Sequence, residues 1–237
     1  MFTPMTRDSA LPFIHNLHIG WVNPFPSLFY CQVTFALDHY RDQFFETFSI
    51  PFPRQLNMAV VKRKAEYLAA RYAAQRVLKL FGCNETPGTS SDRSPVWPSG
   101  WCGSLSHSSE CAIAVVAPKE SGLTPGIDIE FFARRTMRAT SHLFASADEQ
   151  ALLADSGIDY VTALLLTFSV KESLFKALYP EVGCFFDFDA ARVCRIEPLN
   201  QRMTLELTQT LSPSRIIGSR IVGYYDVSDG RVITVIA

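Results

Sequence analysis

The chain has 237 residues, enough for one large domain or two small ones with a substantial apolar core. Apolar residues make up 48% and charged residues 19%, the balance of an ordinary soluble globular protein. The formal net charge of −1 excludes the global basic field common in nucleic-acid binders, so an anionic ligand needs a local cluster of cations.

The cysteines, Cys31, Cys83, Cys102, Cys111, Cys184 and Cys194, are scattered with no CxxC and no Cys/His pairing, which argues against zinc. The start, MFTPMTRDSALPF, lacks a charged segment followed by an apolar one, so no signal peptide is expected. No apolar run reaches the ~18 residues of a membrane span. The expectation is a cytoplasmic protein with reduced thiols.

Residues 1–26, rich in Pro and aromatics, read as an irregular lead-in. Residues 28–37 (LFYCQVTFAL) predict the first strand. Residues 38–53 are ambiguous, and Pro51 and Pro53 stop any helix there. Residues 58–80 predict a helix, with Met58, Val61, Ala65, Leu68, Tyr72, Arg76 and Leu80 in phase and Gly82 as its cap. Lys62, Arg63, Lys64, Arg71, Arg76 and Lys79 make it strongly basic, though most helices of this kind simply present such charges to water.

Residues 85–100 are a loop by composition, with Arg93 just before the stiff segment Ser94-Pro95-Val96-Trp97-Pro98. Residues 102–107 and 111–117 predict a hairpin joined at HSSE, with His107 at the turn beside Ser104, Ser106 and Ser108. A histidine there can bind phosphate or move a proton, and it can equally be a surface residue.

After a Gly/Pro-containing link comes GIDIE, residues 126–130, in which apolar and acidic residues alternate. As a strand it puts Ile127 and Ile129 on one side and Asp128 and Glu130 on the other, roughly 6.6 Å apart. Two hard carboxylates at that spacing, with a third acid nearby, suit magnesium; the simpler reading is a half-buried strand with its acidic face in water. Ser146 to Glu149 is a capping box opening a short helix through Leu153.

Residues 161–178 predict a helix that stops at Pro180, with Leu164, Leu165, Phe168, Phe175 and Leu178 on one apolar arc. Glu172 falls inside that arc and Lys171 near its edge, with Lys176 one turn on from Glu172. A Glu172–Lys176 surface pair explains this less well than a bound cation, because a charge in an apolar stripe is costly unless paired or ligated. From 191 to 237 the pattern predicts three or four strands. The fold class expected is α+β: two similar halves, 1–122 and 123–237, each of strand, long helix and small antiparallel sheet, packed as a pseudo-dimer with the site in the cleft between them.

The segments RKAEYLAARYAAQRVL (63–78), DRSPVWPSG (92–100), GSLSHS (103–108), GIDIE (126–130) and FSVKESLFKAL (168–178), in this order, resemble the 4′-phosphopantetheinyl transferases, specifically the siderophore-synthase type. The resemblance covers the middle half of the chain. It departs at Phe168, where many relatives have Trp, a change in packing behind Glu172.

The resemblance implies that Asp128, Glu130 and Glu172 bind Mg2+. Lys171 and Lys176 match lysines near the phosphates of coenzyme A, and His107, after Ser106, matches a histidine that contacts a CoA phosphate. Arg63, Arg71 and Arg93 match basic positions toward the nucleotide end. The first half then carries the nucleotide side of CoA and the second half the metal. The implied reaction moves 4′-phosphopantetheine from CoA to a serine of an apo carrier protein and releases 3′,5′-ADP. Glu172, directly or through a water, takes the serine proton, while Lys176 and His107 stabilise the diphosphate oxygens. The implied partners are aryl or peptidyl carrier domains of non-ribosomal peptide synthesis, acted on by a monomer. A magnesium-dependent phosphohydrolase and a silent CoA-binding or carrier-docking module are the competing expectations.

Overall fold

Aromatic and β-branched runs, punctuated by proline turns, build the first of two units, Met1–Pro125. The computed structural model describes residues 1–132 and 134–237, with the backbone alone at 134 and 135. The first unit runs β1 (Phe2–Ala10), β2 (Ile14–Val22), β3 (Phe25–Phe35), α1 (Phe44–Thr47), α2 (Val61–Leu80), β4 (Gly88–Thr89), β5 (Pro95–Val96), β6 (Trp101–Ser108) and β7 (Cys111–Pro118). Its main sheet is antiparallel in the order β1-β2-β3-β7-β6.

The irregular lead-in expected for residues 1–26 is in fact two full strands and the start of a third. Pro12 and Pro24 lie in the turns between strands, and Pro4 sits on the edge strand beside a register shift, where a missing N–H costs no central ladder bond. Further shifts between Ile14 and Asn16 and between Trp21 and Val22 break the alternation of β2, which is why its buried Ile14, Leu17, Ile19 and Val22 show no clean period of two.

The basic helix starts at Val61, three residues later than its pattern suggests, leaving Met58 exposed. Gly82 follows its end with φ +76°, a left-handed conformation common at helix stops. Its centre is alanine-rich, and Ala65, Leu68, Ala69, Ala73 and Val77 bury against the sheet in one core with Ile19, Val33, Ala114 and Val116.

The second unit, Gly126–Ala237, runs β8 (Gly126–Phe131), α3 (Arg134–Thr140), α4 (Ala147–Ala154), α5 (Tyr160–Val182), β9 (Ala191–Glu197), β10 (Arg202–Leu207), β11 (Arg220–Ser228) and β12 (Arg231–Ile236). Its antiparallel sheet has the order β8-β12-β11-β10-β9, and the C-terminal region expected to hold three or four strands holds four.

The capping box of α4 is formed: the Glu149 amide donates to Ser146 Oγ at 3.2 Å and the Ser146 amide to Glu149 Oε2 at 2.9 Å. Helix α5 does not stop at Pro180 but at Gly183, φ +70°. A proline in the last turn removes one ladder bond close to where the carbonyls run out of intrahelical partners anyway.

The two units share a wiring pattern, as expected of an α+β chain with two similar halves. In each, the strand before the long helix pairs with the unit's last strand, β3 with β7 and β8 with β12. In each, that last strand closes a hairpin, β6–β7 or β11–β12. The long helix lies over that pair of strands, α2 on β3 and β7, α5 on β8 and β12.

Candidate active site

Strand β8 and helix α5 touch backbone to backbone. A Cβ on Gly126 would stand 1.9 Å from the Ser173 carbonyl oxygen, so only glycine allows this approach. The contact brings Asp128, 3% exposed, under the helix. Lys176 Nζ donates to Asp128 Oδ1 at 2.7 Å and to the Ile127 carbonyl at 3.1 Å, and Ser169 Oγ donates to Asp128 Oδ2 at 2.9 Å.

Behind them is a buried hydroxyl chain. Thr234, opposite Asp128 in the β8–β12 register, is 2.9 Å from Ser169 Oγ and 2.7 Å from Ser173 Oγ through its own hydroxyl, and Ser173 Oγ also donates to the Thr234 carbonyl at 2.9 Å. A carboxylate held by several donors stays in one orientation.

Glu172 does not sit within the buried arc of α5, as its spacing suggests. The helix is buried on most of its circumference, and Phe168, Glu172, Phe175, Lys176 and Tyr179 form the half-buried stripe. The misplaced arc has a simple cause: Phe168 and Phe175 pack at the rim of the core, so two large apolar residues mark the open side. Burial pushes the Glu172 carboxyl above its ordinary range, the charge of Asp128 adds to this, and Lys176 opposes it. Glu130, half-buried, lies two residues along β8 from Asp128 and so on the same strand face. Among the described residues no group of three or more His, Cys, Asp or Glu is arranged to hold a metal ion.

Lys171 lies apart from this group, which corrects its expected place beside a phosphate. It is 4% exposed, with Nζ 2.8 Å from Glu149 Oε1, 2.8 Å from the Phe144 carbonyl and 3.1 Å from the Phe188 carbonyl. Those partners match the three donors of an ammonium. Glu149 Oε1 also accepts the Val193 amide at 2.8 Å, so one buried ion pair ties α4, α5 and β9. Burial pushes the Lys171 ammonium below its ordinary value while Glu149 holds it up.

In the first unit, β6 presents His107 to α2. Arg63 Nη1 is 2.9 Å from His107 Nε2, and Glu66 Oε2 is 3.5 Å from Nδ1. Burial pushes the Glu66 carboxyl up, against Lys62 and Arg63. Ser106, the preceding residue, is buried.

Arg71 is also buried, at 6% exposure, so the solvated-face reading fails for it and an open ligand-binding role is not what its packing shows. Its Nη2 donates to the Gly88 carbonyl and Thr89 Oγ1, both at 3.0 Å, and its guanidinium lies 4.6 Å from the Tyr67 ring centroid. It pins the β4 loop to α2. Arg93 is exposed in a turn with φ +72°, held by the Asp92 carboxylate accepting from the Ser94 amide at 2.9 Å. The loop is anchored further on by Trp97, which lies where a side chain on Gly103 would be.

The structure therefore assembles Asp128, Glu172 and Lys176 in one unit and Arg63 and His107 in the other. Sequence reasoning missed Glu66, Ser169, Ser173 and Thr234. Glu66 carried a signal, an acid inside a basic run. The hydroxyls carried little, since serine and threonine in an apolar helix or strand commonly bond only their own backbone.

Residues 52–117 match the family model described as 4′-phosphopantetheinyl transferase N-terminal domain, and residues 124–235 match that described as 4′-phosphopantetheinyl transferase superfamily. The chain is 38% identical over 174 residues to enterobactin synthase component D of Escherichia coli (strain K12), covering 73% of this chain and 75% of the relative. It is 32% identical over 191 residues to enterobactin synthase component D of Salmonella typhi, covering 80% and 73%. It is 31% identical over 199 residues to 4′-phosphopantetheinyl transferase Svp of Streptomyces mobaraensis, covering 80% and 79%.

Proposed function

The chain belongs to the 4′-phosphopantetheinyl transferase superfamily and is an enzyme that transfers phosphopantetheine to carrier proteins, and from that premise we propose how its residues divide the work. The family's donor is coenzyme A, used generally with a divalent metal. The observation that carries our reading is the meeting of Asp128, Glu172 and Lys176 where β8 touches α5.

The donor set fits a hard cation. Asp128, Glu130 and Glu172 offer only carboxylate oxygens, which suit Mg2+ that keeps several waters. Burial raises the Glu172 carboxyl and the nearby charge of Asp128 adds to it, a like-charge pairing that a divalent cation relieves. We assign Asp128 and Glu172 as the centre of the metal site and Glu130 as its neighbour along the strand. When bound, the metal supplies neutralisation of the diphosphate charge.

Lys176, once released from Asp128, is a mobile cation for the same diphosphate. We assign to Glu172 the uptake of the proton of the attacking carrier serine, directly or through a water. That oxygen bonds to the β-phosphorus and 3′,5′-ADP leaves. The first half, 1–122, takes the nucleotide side of CoA through Arg63, Ser106, His107 and the exposed Arg93; the second, 123–237, holds the metal.

The resemblance to the siderophore-synthase type favours aryl or peptidyl carrier domains of non-ribosomal peptide synthesis as acceptors, and a cytoplasmic monomer as the working form. Among the described residues no helix is long and apolar enough to cross a membrane. The test is incubation with CoA, Mg2+ and a panel of apo carriers, read by intact mass. A gain of phosphopantetheine on aryl or peptidyl carriers supports the reading. CoA breakdown without a carrier would instead mean a hydrolase, and binding without turnover a silent module.

A further inference from the structure

His107 stands between two α2 side chains of opposite sign. Arg63 Nη1 is 2.9 Å from its Nε2, and Glu66 Oε2 is 3.5 Å from its Nδ1. A guanidinium has donors and no acceptor, so Nε2 must hold a lone pair. The ring proton is then on Nδ1, on the side of Glu66. Glu66 is placed for this by the fold: it is 8% exposed, one helical turn from Lys62, whose Nζ is 3.9 Å from its other carboxylate oxygen. The charged groups that α2 turns toward the ring are thus Arg63 and Glu66, with Lys62 behind Glu66.

A phosphate dianion or a diphosphate offers only acceptors. The lone pair that receives Arg63 would repel such a group. If the phosphate takes Arg63 for itself, His107 joins by gaining a proton at Nε2 from solvent, since shifting the Nδ1 proton there would turn a ring lone pair on the Glu66 carboxylate. The imidazolium so formed lies beside Glu66.

We propose that Glu66 is the positioning residue of the phosphate-binding histidine: it fixes His107 as the Nδ1–H tautomer in the free enzyme and holds the imidazolium formed when CoA phosphate replaces the lone-pair contact with Arg63. CoA binding therefore takes up a proton. This rests on the reading of His107 and Arg63 as CoA contacts, and the experiment separates the two.

CoA binding to the full chain is measured by calorimetry at pH ~8, well above the phosphate second pKa of about 6, in two buffers of different ionisation enthalpy. Nitrogen-15 spectra of labelled histidine report the tautomer of the free enzyme. The expected results are the Nδ1–H tautomer, uptake of about one proton on CoA binding, and loss of that uptake in Glu66→Gln with CoA affinity about tenfold lower. His107→Ala removes the uptake and weakens CoA. An Nε2–H tautomer, no proton uptake by the wild type, or unchanged uptake in Glu66→Gln overturns the proposal. If Glu66→Gln does not fold, the wild-type spectra and buffer pair still decide. Normal CoA affinity in His107→Ala overturns the underlying site reading instead.

Discussion

The two long helices carry the same kind of burden in different ways. Each buries a cation at its middle, Arg71 in α2 and Lys171 in α5, at 6% and 4% exposure. Arg71 is met by a backbone carbonyl, a hydroxyl and an aromatic face, and among the described residues its Nε has no hydrogen-bond partner. Lys171 is met by a full carboxylate and two carbonyls. Arginine tolerates such a setting because its charge is spread over a plane; a lysine's point charge needs a counter-charge. The same contrast recurs at the sites. In the first unit an acid on the helix faces a base on the strand, Glu66 and His107; in the second the acid on the strand, Asp128, faces a base on the helix, Lys176.

The largest effect is expected where chemistry separates from charge in the second unit. Glu172→Gln keeps shape but removes the proton acceptor, and single-turnover transfer with CoA and carrier saturating should slow roughly 10²–10⁴-fold, up to about 5.5 kcal/mol of barrier. A near-normal rate would make Glu172 structural.

Glu149→Gln tests the buried pair. It leaves Lys171 charged without its carboxylate, and urea unfolding should show a loss of about 3–5 kcal/mol. A loss under 1 kcal/mol would mean that the carbonyls alone suffice. The sign with pH is opposite to that of a surface lysine pair. The folded pKa lies below the ordinary 10.5, so between the two values the unfolded chain binds more protons and stability rises with pH. Lys171→Met should lose that alkaline rise.

Thr234→Val removes the hydroxyl shared by Ser169 and Ser173 behind Asp128. The expected cost is about 1–3 kcal/mol in stability, with weaker divalent-ion binding by calorimetry. Unaltered metal affinity would separate the hydroxyl chain from the orientation of Asp128. Arg71→Met should cost least, about 1–2 kcal/mol, because its lost contacts are partly offset by removing a buried charge whose Nε has no partner among the described residues. A cost above that of Glu149→Gln would reverse the comparison.

The elements that dominate each unit were legible because their patterns are uninterrupted: the alanine-rich helix, the apolar β7, the alternating GIDIE. The first two strands were not, since the register shifts in β1 and β2 scramble the period that marks a strand. At the site, residue type was readable and direction was not. KES announces two charges in a row, yet consecutive helical residues point about 100° apart. Glu172 therefore faces the Asp128 side while Lys171 turns into the core toward Glu149. Glu149 itself read correctly as a capping residue, but its second oxygen's bonds to Lys171 and Val193 depend on contacts far along the chain.

Gly126 has a role that its lack of a side chain conceals. With the strand and helix backbones in contact there, the missing Cβ works as the gauge of the carboxylate pair. One methyl group at that point would wedge β8 off α5 and carry Asp128 away from Lys176 and Glu172 together, with every functional group chemically intact. Inactivity at position 126 would thus be a failure of spacing alone, one that added metal or added CoA could not restore.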